Sequence, residues 1–243
     1  FTDLFSFGKI SFTGKFPKNK KIDIKKTPLE IVMCKNCKLI QLKHNYSLKY
    51  LYGPDYGYRT GINKTMKDHV KNVATTLKKI VKIRNRDLVL DIASNDSTLL
   101  NYYSKKNIRF GINPLVNKYK KNYSNIDFKV SDFFSINKIT SKTKKKFKII
   151  TALAVFYDLN DPNKFLKDVG QLIRDDGVIF IEFTDMGSMI KFNMFDAICH
   201  EHLTYFTSKI FCYIANKNNL RVFDIKFNSI NGGSTQYFLC KKN

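Results

Sequence analysis

Leu88-Val89-Leu90-Asp91-Ile92-Ala93-Ser94-Asn95-Asp96-Ser97-Thr98-Leu99-Leu100 is the stretch from which the fold is read. An apolar run ends in an acid, Asp91, and small polar residues follow before apolar ones return at Leu99 and Leu100. Tyr102 and Tyr103 come next. This order predicts a buried parallel strand, a tight turn and a helix packing back on the sheet. Such a turn sets backbone N–H groups and a helix N-terminus at the carboxyl edge of the sheet, where doubly wound folds bind nucleotides. An ordinary βα turn has the same pattern.

Working outward, strand and helix alternate. Arg109 to Pro114 and Asp127 to Val130 read as second and third strands, and Phe147 to Ala154 as a strongly apolar fourth. Pro162 suits the first turn of a helix carrying Phe165, Leu166, Val169, Leu172 and Ile173 on one face. Asp175-Asp176-Gly177 reads as a stop and turn before a fifth strand, Val178 to Phe183. After a polar and aromatic excursion over 184–206, Thr207 to Asn216 reads as a helix. Leu220–Phe227 and Gln236–Cys240 then form a hairpin through Asn231-Gly232-Gly233. The expected fold class is α/β: a Rossmann-like, mostly parallel seven-stranded sheet over about 85–243, with an antiparallel last strand.

Upstream of the sheet, Met66, Val70, Val73, Leu77 and Ile80 recur at helical spacing, so 63–83 is an amphipathic helix leading into it. Residues 46–61 hold five of the thirteen tyrosines among Gly and Pro. Each buried hydroxyl needs a partner, which suits a ligand-facing loop or a linker packed on the next domain. Residues 51–84 thus form a tyrosine-rich loop and linking helix. Residues 1–50 read as a small accessory module, with Phe5, Phe7, Phe12 and Phe16 spread among Gly8, Gly14 and Pro17 in a turn-rich pattern.

Composition bounds the function. The chain has 243 residues, 43% hydrophobic and 14% aromatic, which is enough for one good core and excludes a disordered chain. Basic residues outnumber acidic 43 to 20, for a net charge of +23. Only six of them are Arg, at 59, 84, 86, 109, 174 and 221. Arg is the side chain best suited to bidentate phosphate and base contacts, so the surplus of Lys fits a solvated surface better than a nucleic-acid footprint. No apolar run reaches the ~20 residues that span a bilayer. Five unevenly placed cysteines argue against a disulfide framework and fit a reducing, cytoplasmic setting. The chain begins at Phe1 rather than Met, and a fragment is expected.

Two clusters carry chemistry. Cys34 and Cys37 stand in C-x-x-C between two short apolar strands, the shape of a zinc knuckle. A tetrahedral shell needs four ligands, and only His44 is near in sequence, so this is half a zinc site. His200-Glu201-His202 follows the fifth strand, near the sheet's carboxyl edge. In an extended stretch both imidazoles would face one side and the carboxylate the other. That pattern suits a general base with an orienting acid, a metal site, or capping histidines on a loop.

These motifs together resemble S-adenosylmethionine-dependent methyltransferases of class I over 88–183. More narrowly, they resemble the sugar C-methyltransferases over about 28–240. The narrower likeness rests on Cys34, Cys37, Leu39, Gln41 and Leu42; on Tyr56-Gly57-Tyr58-Arg59-Thr60-Gly61; and on Ser94-Asn95-Asp96. It also rests on His200-Glu201-His202 with Tyr205-Phe206, and on Gly232-Gly233-Ser234. The resemblance implies S-adenosylmethionine as cofactor, held by Asp91, Ala93, Ser94, Asn95, Asn113, Asp132, Phe133, Ala152 and Phe156. It implies a nucleotide-linked keto-sugar held by Tyr56, Tyr58, Glu182 and Asn193. It implies that His202, oriented by Glu201, removes a proton beside the ketone, with His200 and Tyr205 near the enolate oxygen. No membrane partner is implied, and nucleic acid is a weaker expectation.

The chain departs from the family at named positions. Ala93 and Ser97 stand where glycine is usual, which penalises a positive φ and narrows the cofactor's space. Asn113 stands where an acid usually holds the ribose hydroxyls. Cys199 replaces a tyrosine, and its thiol would relay protons while holding a sugar hydroxyl poorly. Two other classes stay open: an RNA methyltransferase, suggested by the positive charge and the zinc half-site, and a non-catalytic relative that binds without turnover, suggested by these departures.

Overall fold

A computed structural model describes residues 1–242 except Phe16, Lys18, Lys20, Pro54 and Asp55. Phe16 and the Pro54-Asp55 step of the tyrosine stretch therefore lie outside the described residues. The chain opens with β1 (Thr2–Ser11), β2 (Lys26–Met33) and β3 (Ile40–Leu42), then α1 (Leu48–Leu51) and α2 (Lys64–Val81). The central stretch is β4 (Leu88–Ile92), β5 (Ile108–Ile112), β6 (Phe128–Val130), α3 (Ile136–Thr140) and β7 (Phe147–Leu153). Next come α4 (Pro162–Leu172), β8 (Ile173–Phe183), α5 (Met186–Lys191) and β9 (Thr204–Tyr205). The last elements are α6 (Ser208–Lys217), β10 (Leu220–Asn228) and β11 (Ser234–Lys241).

The larger sheet has seven strands in the order β10-β11-β8-β7-β4-β5-β6. β8, β7, β4, β5 and β6 are parallel, and β11 runs antiparallel between β8 and β10. This is the Rossmann-like sheet that the sequence predicts. β4 is buried at every residue because neighbours flank it on both edges and layers cover both faces. From β4 the chain steps outward to β5 and β6, then returns to add β7 on the other side. The switch point therefore falls between the carboxyl ends of β4 and β7, where open α/β sheets leave a crevice.

The caps follow from the sequence. The Asn63 side chain accepts from Thr65 N at 2.8 Å and starts α2, which buries His69, Val70, Val73, Ala74 and Leu77 against one face of the sheet. Full burial of Val70, Val73 and Leu77 stabilises the domain by about 1.5–3 kcal/mol each. Asp161 accepts from Lys164 N at 2.8 Å, and Pro162 opens α4. α4 and α6 cover the opposite face, burying Phe165, Leu166, Val169 and Phe211.

Three local expectations change. The helix expected after β4 is only a 3₁₀ turn, Leu100–Tyr102, because side-chain bonds from Asp96 and Ser97 hold that segment in turns. Asp175-Asp176-Gly177 is not a turn ahead of the fifth strand but part of that strand. β8 begins at Ile173, and its pairing with β7 shifts from Phe147↔Ile173 to Ile149↔Val178 around that tripeptide. The opening residues are not merely turns, since β1 pairs along β2 with register shifts on either side of Phe5 and Ser6. Long-range pairing overrides the weak local signal there.

A second sheet, β1-β2-β3-β9, ties the two ends of the chain together. β9 follows the His-Glu-His segment directly and pairs with β3 through Ile40↔Tyr205 and Gln41↔Thr204. The residues around the C-x-x-C turn and the aromatic pair after His202 thus share one sheet. The N-terminal sheet holds the His-Glu-His segment against the crevice of the larger one.

Candidate functional site

At the carboxyl edge of the large sheet lies a cavity of about 970 Å³. Its floor is the end of β4 and the following loop, Asp91 to Asn95. One side is Asn113 to Leu115 after β5 and Asp132 to Ser135 after β6. The other side is Leu153 to Val155 with Tyr157 and Asp158 after β7, and Cys199, Glu201 and His202. Tyr56 and Tyr58 from the tyrosine loop and Thr13 and Gly14 from the first hairpin complete the wall.

The loop after β4 is strained. Ala93, Asn95 and Ser97 all have positive φ, at 58°, 46° and 61°. Asn tolerates this region, whereas Ala and Ser occupy it at a cost. Ser97 is compensated, since its hydroxyl donates to the Asn122 carbonyl at 2.8 Å. The strained loop also clamps the tyrosine loop. Buried Asp96 accepts from Arg59 Nε at 2.9 Å and from Gly61 N at 3.0 Å, while Asn95 Oδ1 accepts from Thr60 N at 2.9 Å. A Cβ on Gly61 would lie 2.6 Å from Asp96 Oδ2, so glycine lets the two loops touch. Two motifs read separately in the sequence, Ser94-Asn95-Asp96 and Tyr56 to Gly61, are therefore one lock.

Asp91 is buried at the end of β4 and accepts from the Thr151 hydroxyl at 2.6 Å. Desolvation pushes its pKa up to about 7, against the pull of that bond. Asn113 spends its side-chain oxygen on Leu115 N at 2.7 Å. Asp132 pairs with Lys138 at 2.5 Å, and its carboxyl lies below the usual range because of that partner.

His202 is held in a defined tautomer. Its Nδ1 lies 2.7 Å from the Ala197 carbonyl, which can only accept, so Nδ1 carries the proton and Nε2 keeps its lone pair. The ring packs on Tyr157, centroids 3.9 Å apart, and burial lowers its pKa. A neutral imidazole in the cavity wall is a competent general base. Its direct orienting partner is the Ala197 carbonyl rather than Glu201. The Glu201 carboxylate instead accepts from the Thr13 hydroxyl. Gly14, at φ 73°, passes so close to Glu201 that any Cβ would collide with its oxygen.

The sequence reading places other residues differently from the structure. Cys199 to Glu201 form a turn, so the two imidazoles diverge. His200 is fully buried under the N-terminal sheet, its Nε2 3.0 Å from the Thr27 hydroxyl and its ring against Phe12. It lies outside the cavity wall, as does Tyr205, whose hydroxyl is buried without a partner among the described residues. Ala152 and Phe156 face the core under α4 and α6. Glu182 lies on the opposite pleat, where it accepts from His69 Nε2 and Gln236 Nε2, both at 2.7 Å. Asn193 sits exposed in a turn at φ 52°. Cys199 lines the cavity, but burial and then Glu201 push its thiol pKa up, which opposes proton relay.

Several cavity residues escaped the sequence reading, Tyr157 and Asp158 among them. The Tyr157 ring packs, tilted, on His202, and Asp158 beside it is buried with Oδ2 accepting from the Tyr52 hydroxyl at 2.7 Å. The available signal was position alone: an acid just past the carboxyl end of a buried parallel strand.

Cys34 and Cys37 stand at the turn between β2 and β3, away from the cavity. Backbone N–H groups of Cys37 and Asn36 hold the Cys34 thiol below its ordinary range. His44 is engaged by Glu30 at 2.9 Å. Among the described residues, no group of three or more His, Cys, Asp or Glu side chains is placed to hold a metal.

A family model described as a methyltransferase domain matches residues 55–225. The chain belongs to that methyltransferase family. It is 24% identical over 241 residues to the C-methyltransferase NovU of Streptomyces niveus, covering 97% of this chain and 57% of that protein. The chain thus spans somewhat over half the length of this curated relative. Its fold is similar to that of an S-adenosylmethionine-dependent methyltransferase from Clostridium acetobutylicum ATCC 824. The TM-score is 0.57 at 9% identity, over 73% of this chain and 92% of that one. It is also similar to the plantazolicin methyltransferase BamL, solved with a substrate analogue and SAH. There the TM-score is 0.59 at 15% identity, over 74% and 87% of the two chains. For a methyltransferase of this fold, the cavity is large enough for a nucleoside cofactor with a small second molecule beside it. The donor set fits such a cofactor. Carboxyl and amide groups at Asp91, Asn95, Asn113 and Asp132 line one half, with Phe133 and Leu115 among them.

Proposed function

We propose that this chain is an S-adenosylmethionine-dependent methyltransferase that methylates carbon beside the ketone of a nucleotide-linked sugar. The single observation that carries this reading is His202, an imidazole fixed with its Nε2 lone pair free in the wall of a cavity built on the methyltransferase switch point. When bound, S-adenosylmethionine supplies an electrophilic methyl group. Asp91, Ala93, Ser94, Asn95, Asn113, Asp132 and Phe133 are the residues that would hold it. Tyr56 and Tyr58 would close over the second molecule, since Asp96 and Asn95 lock their loop to the cofactor loop.

His202 Nε2 takes the proton from the carbon next to the ketone, and the Ala197 carbonyl stabilises the imidazolium through Nδ1–H. Burial favours the neutral base before the reaction and keeps water from competing for the carbanion-like carbon. The likeness to NovU supports carbon as the acceptor atom. A cavity of about 970 Å³ lined by Tyr56, Tyr58, Thr13 and Gly14 supports a small molecule over a nucleic-acid strand. Cys34 and Cys37, paired at one turn, are proposed as two ligands of a structural zinc. A cytoplasmic location is proposed on the five free thiols.

The test uses S-adenosylmethionine labelled with ¹³C in its methyl group and a panel of nucleoside-diphosphate keto-hexoses. The reading expects a labelled methyl carbon bonded to carbon. A methyl bonded to oxygen refutes C-methylation, and labelled RNA in place of labelled sugar favours the RNA reading.

A further inference from the structure

Asp158 is an unexplained carboxyl in the wall of the cavity. The residue is only 6% exposed. The Tyr52 hydroxyl donates to Oδ2 at 2.7 Å, and Oδ1 is buried with no hydrogen-bond partner among the described residues. No cation pairs with it there. Its neighbours are acids or potential acids: Tyr52, Tyr56, Tyr157, Cys199, Tyr205 and Glu201. An ionised carboxylate with one oxygen unsatisfied in such a place is costly, and a neutral carboxylic acid is the cheaper state. Burial, reinforced by Glu201, accordingly holds the proton on Asp158 well above the usual carboxylate range. A neutral carboxyl whose Oδ2 accepts from Tyr52 has its proton on Oδ1, the atom that lacks a partner. It is then a hydrogen-bond donor waiting for an acceptor.

We infer that Asp158 is a further catalytic residue, a neutral acid whose Oδ1–H donates to the ketone oxygen of the substrate while His202 removes the neighbouring proton. This rests on the C-methylation reading above. Asp158 and His202 both line the cavity, and Tyr157, the residue before Asp158, packs against the His202 ring. The step balances. The C–H bond breaks, its proton goes to His202 Nε2, and its electron pair becomes the C=C bond. The carbonyl π pair moves to oxygen, where Asp158 steadies the developing charge. That C=C pair then forms the new C–CH₃ bond as the S–CH₃ bond breaks with its pair left on sulfur. The oxygen pair returns to re-form the ketone. Donors aimed at charge that develops only in the transition state act on kcat more than on KM.

The test compares the parent with Asp158→Asn and Asp158→Ala, using nucleoside-diphosphate keto-hexoses as probes. Asn keeps the shape, and with its oxygen toward Tyr52 it keeps an N–H donor at the position of Oδ1. The expected result is a fall of about 10²–10³ in kcat for Asp158→Ala, with S-adenosylmethionine affinity unchanged by calorimetry. Asp158→Asn should recover a large part of that loss. In the ligand-free protein at neutral pH, difference infrared spectroscopy should show a carboxylic-acid C=O band that Asp158→Asn removes. Parent-like turnover by Asp158→Ala overturns the inference while leaving the C-methylation reading intact, and so does the absence of that band in the parent. A parent that turns over none of the probes overturns the C-methylation reading, and the role of Asp158 falls with it.

Discussion

Ala93 and Ser97 have nearly the same backbone strain, yet replacing each by glycine should have different consequences. Both have φ near 60°, where a Cβ costs about 1–2 kcal/mol. Glycine returns about 0.4–1 kcal/mol of that through greater freedom in the unfolded chain. Ala93→Gly should therefore stabilise the protein by about 0.5–1 kcal/mol, and for a domain of this size raise Tm by about 1–4 °C. Ser97→Gly relieves the same strain but removes the hydroxyl bond to the Asn122 carbonyl, worth about 0.5–1.5 kcal/mol. Its Tm should fall between about 4 °C below and about 2 °C above the parent, and below that of Ala93→Gly. Binding should separate the two further, because Ala93 lines the cavity and Ser97 does not. Calorimetric titration with S-adenosylmethionine should show tighter binding for Ala93→Gly and no change for Ser97→Gly. A loss of stability in Ala93→Gly would falsify the strain argument. Equal gains in affinity would mean that the loop acts as a unit rather than through the Ala93 Cβ.

Other outcomes follow from the same geometry. Asp91 binds a proton more tightly in the folded state, at about 7, than in the unfolded chain, at about 3.9. Its contribution to stability is present below pH 4 and is lost as pH rises to 7; chemical denaturation across that window should show a downward slope that Asp91→Asn flattens. Breaking the loop lock with Asp96→Ala leaves Arg59 and the Gly61 N–H without their acceptor. Limited proteolysis should then cut the tyrosine loop faster, and a sequence-unspecific protease that cuts both proteins equally would contradict the lock. Because burial lowers the His202 pKa, the acid limb of the pH–rate profile should fall below the ordinary imidazole range. An acid limb above that range would point to a different base.

The sheet was legible because its strands are apolar runs with few alternatives, and because Asp91, Pro162 and the Asn231-Gly232-Gly233 turn punctuate them. α2 was legible from its spacing and its Asn63 cap. The helix after β4 was not, since side-chain bonds from Asp96 and Ser97 decide that segment. For the site, the sequence picked out positions on the cavity wall, which fixes their place and not their role. Asp91, Ala93, Ser94, Asn95, Asn113, Asp132, Phe133, Tyr56, Tyr58, Cys199, Glu201 and His202 all line the cavity. His200 was misread because its partners, Thr13 and Thr27, lie 187 and 173 residues away in the chain. Glu182 was misread because a period-two strand gives no clue to which face meets the ligand. Asp158 carried no motif, and its meaning comes only from burial and a missing partner.

The most direct measurement of the central claim is solvent deuterium exchange at the carbon next to the ketone of a bound keto-sugar, followed by NMR without methyl transfer. It isolates proton removal from every later step. The account predicts exchange by the parent and a loss of about 10²–10⁴ in rate for His202→Ala, with S-adenosylmethionine affinity unchanged. Exchange in His202→Ala as fast as in the parent would contradict it, because the proton would then leave through another group.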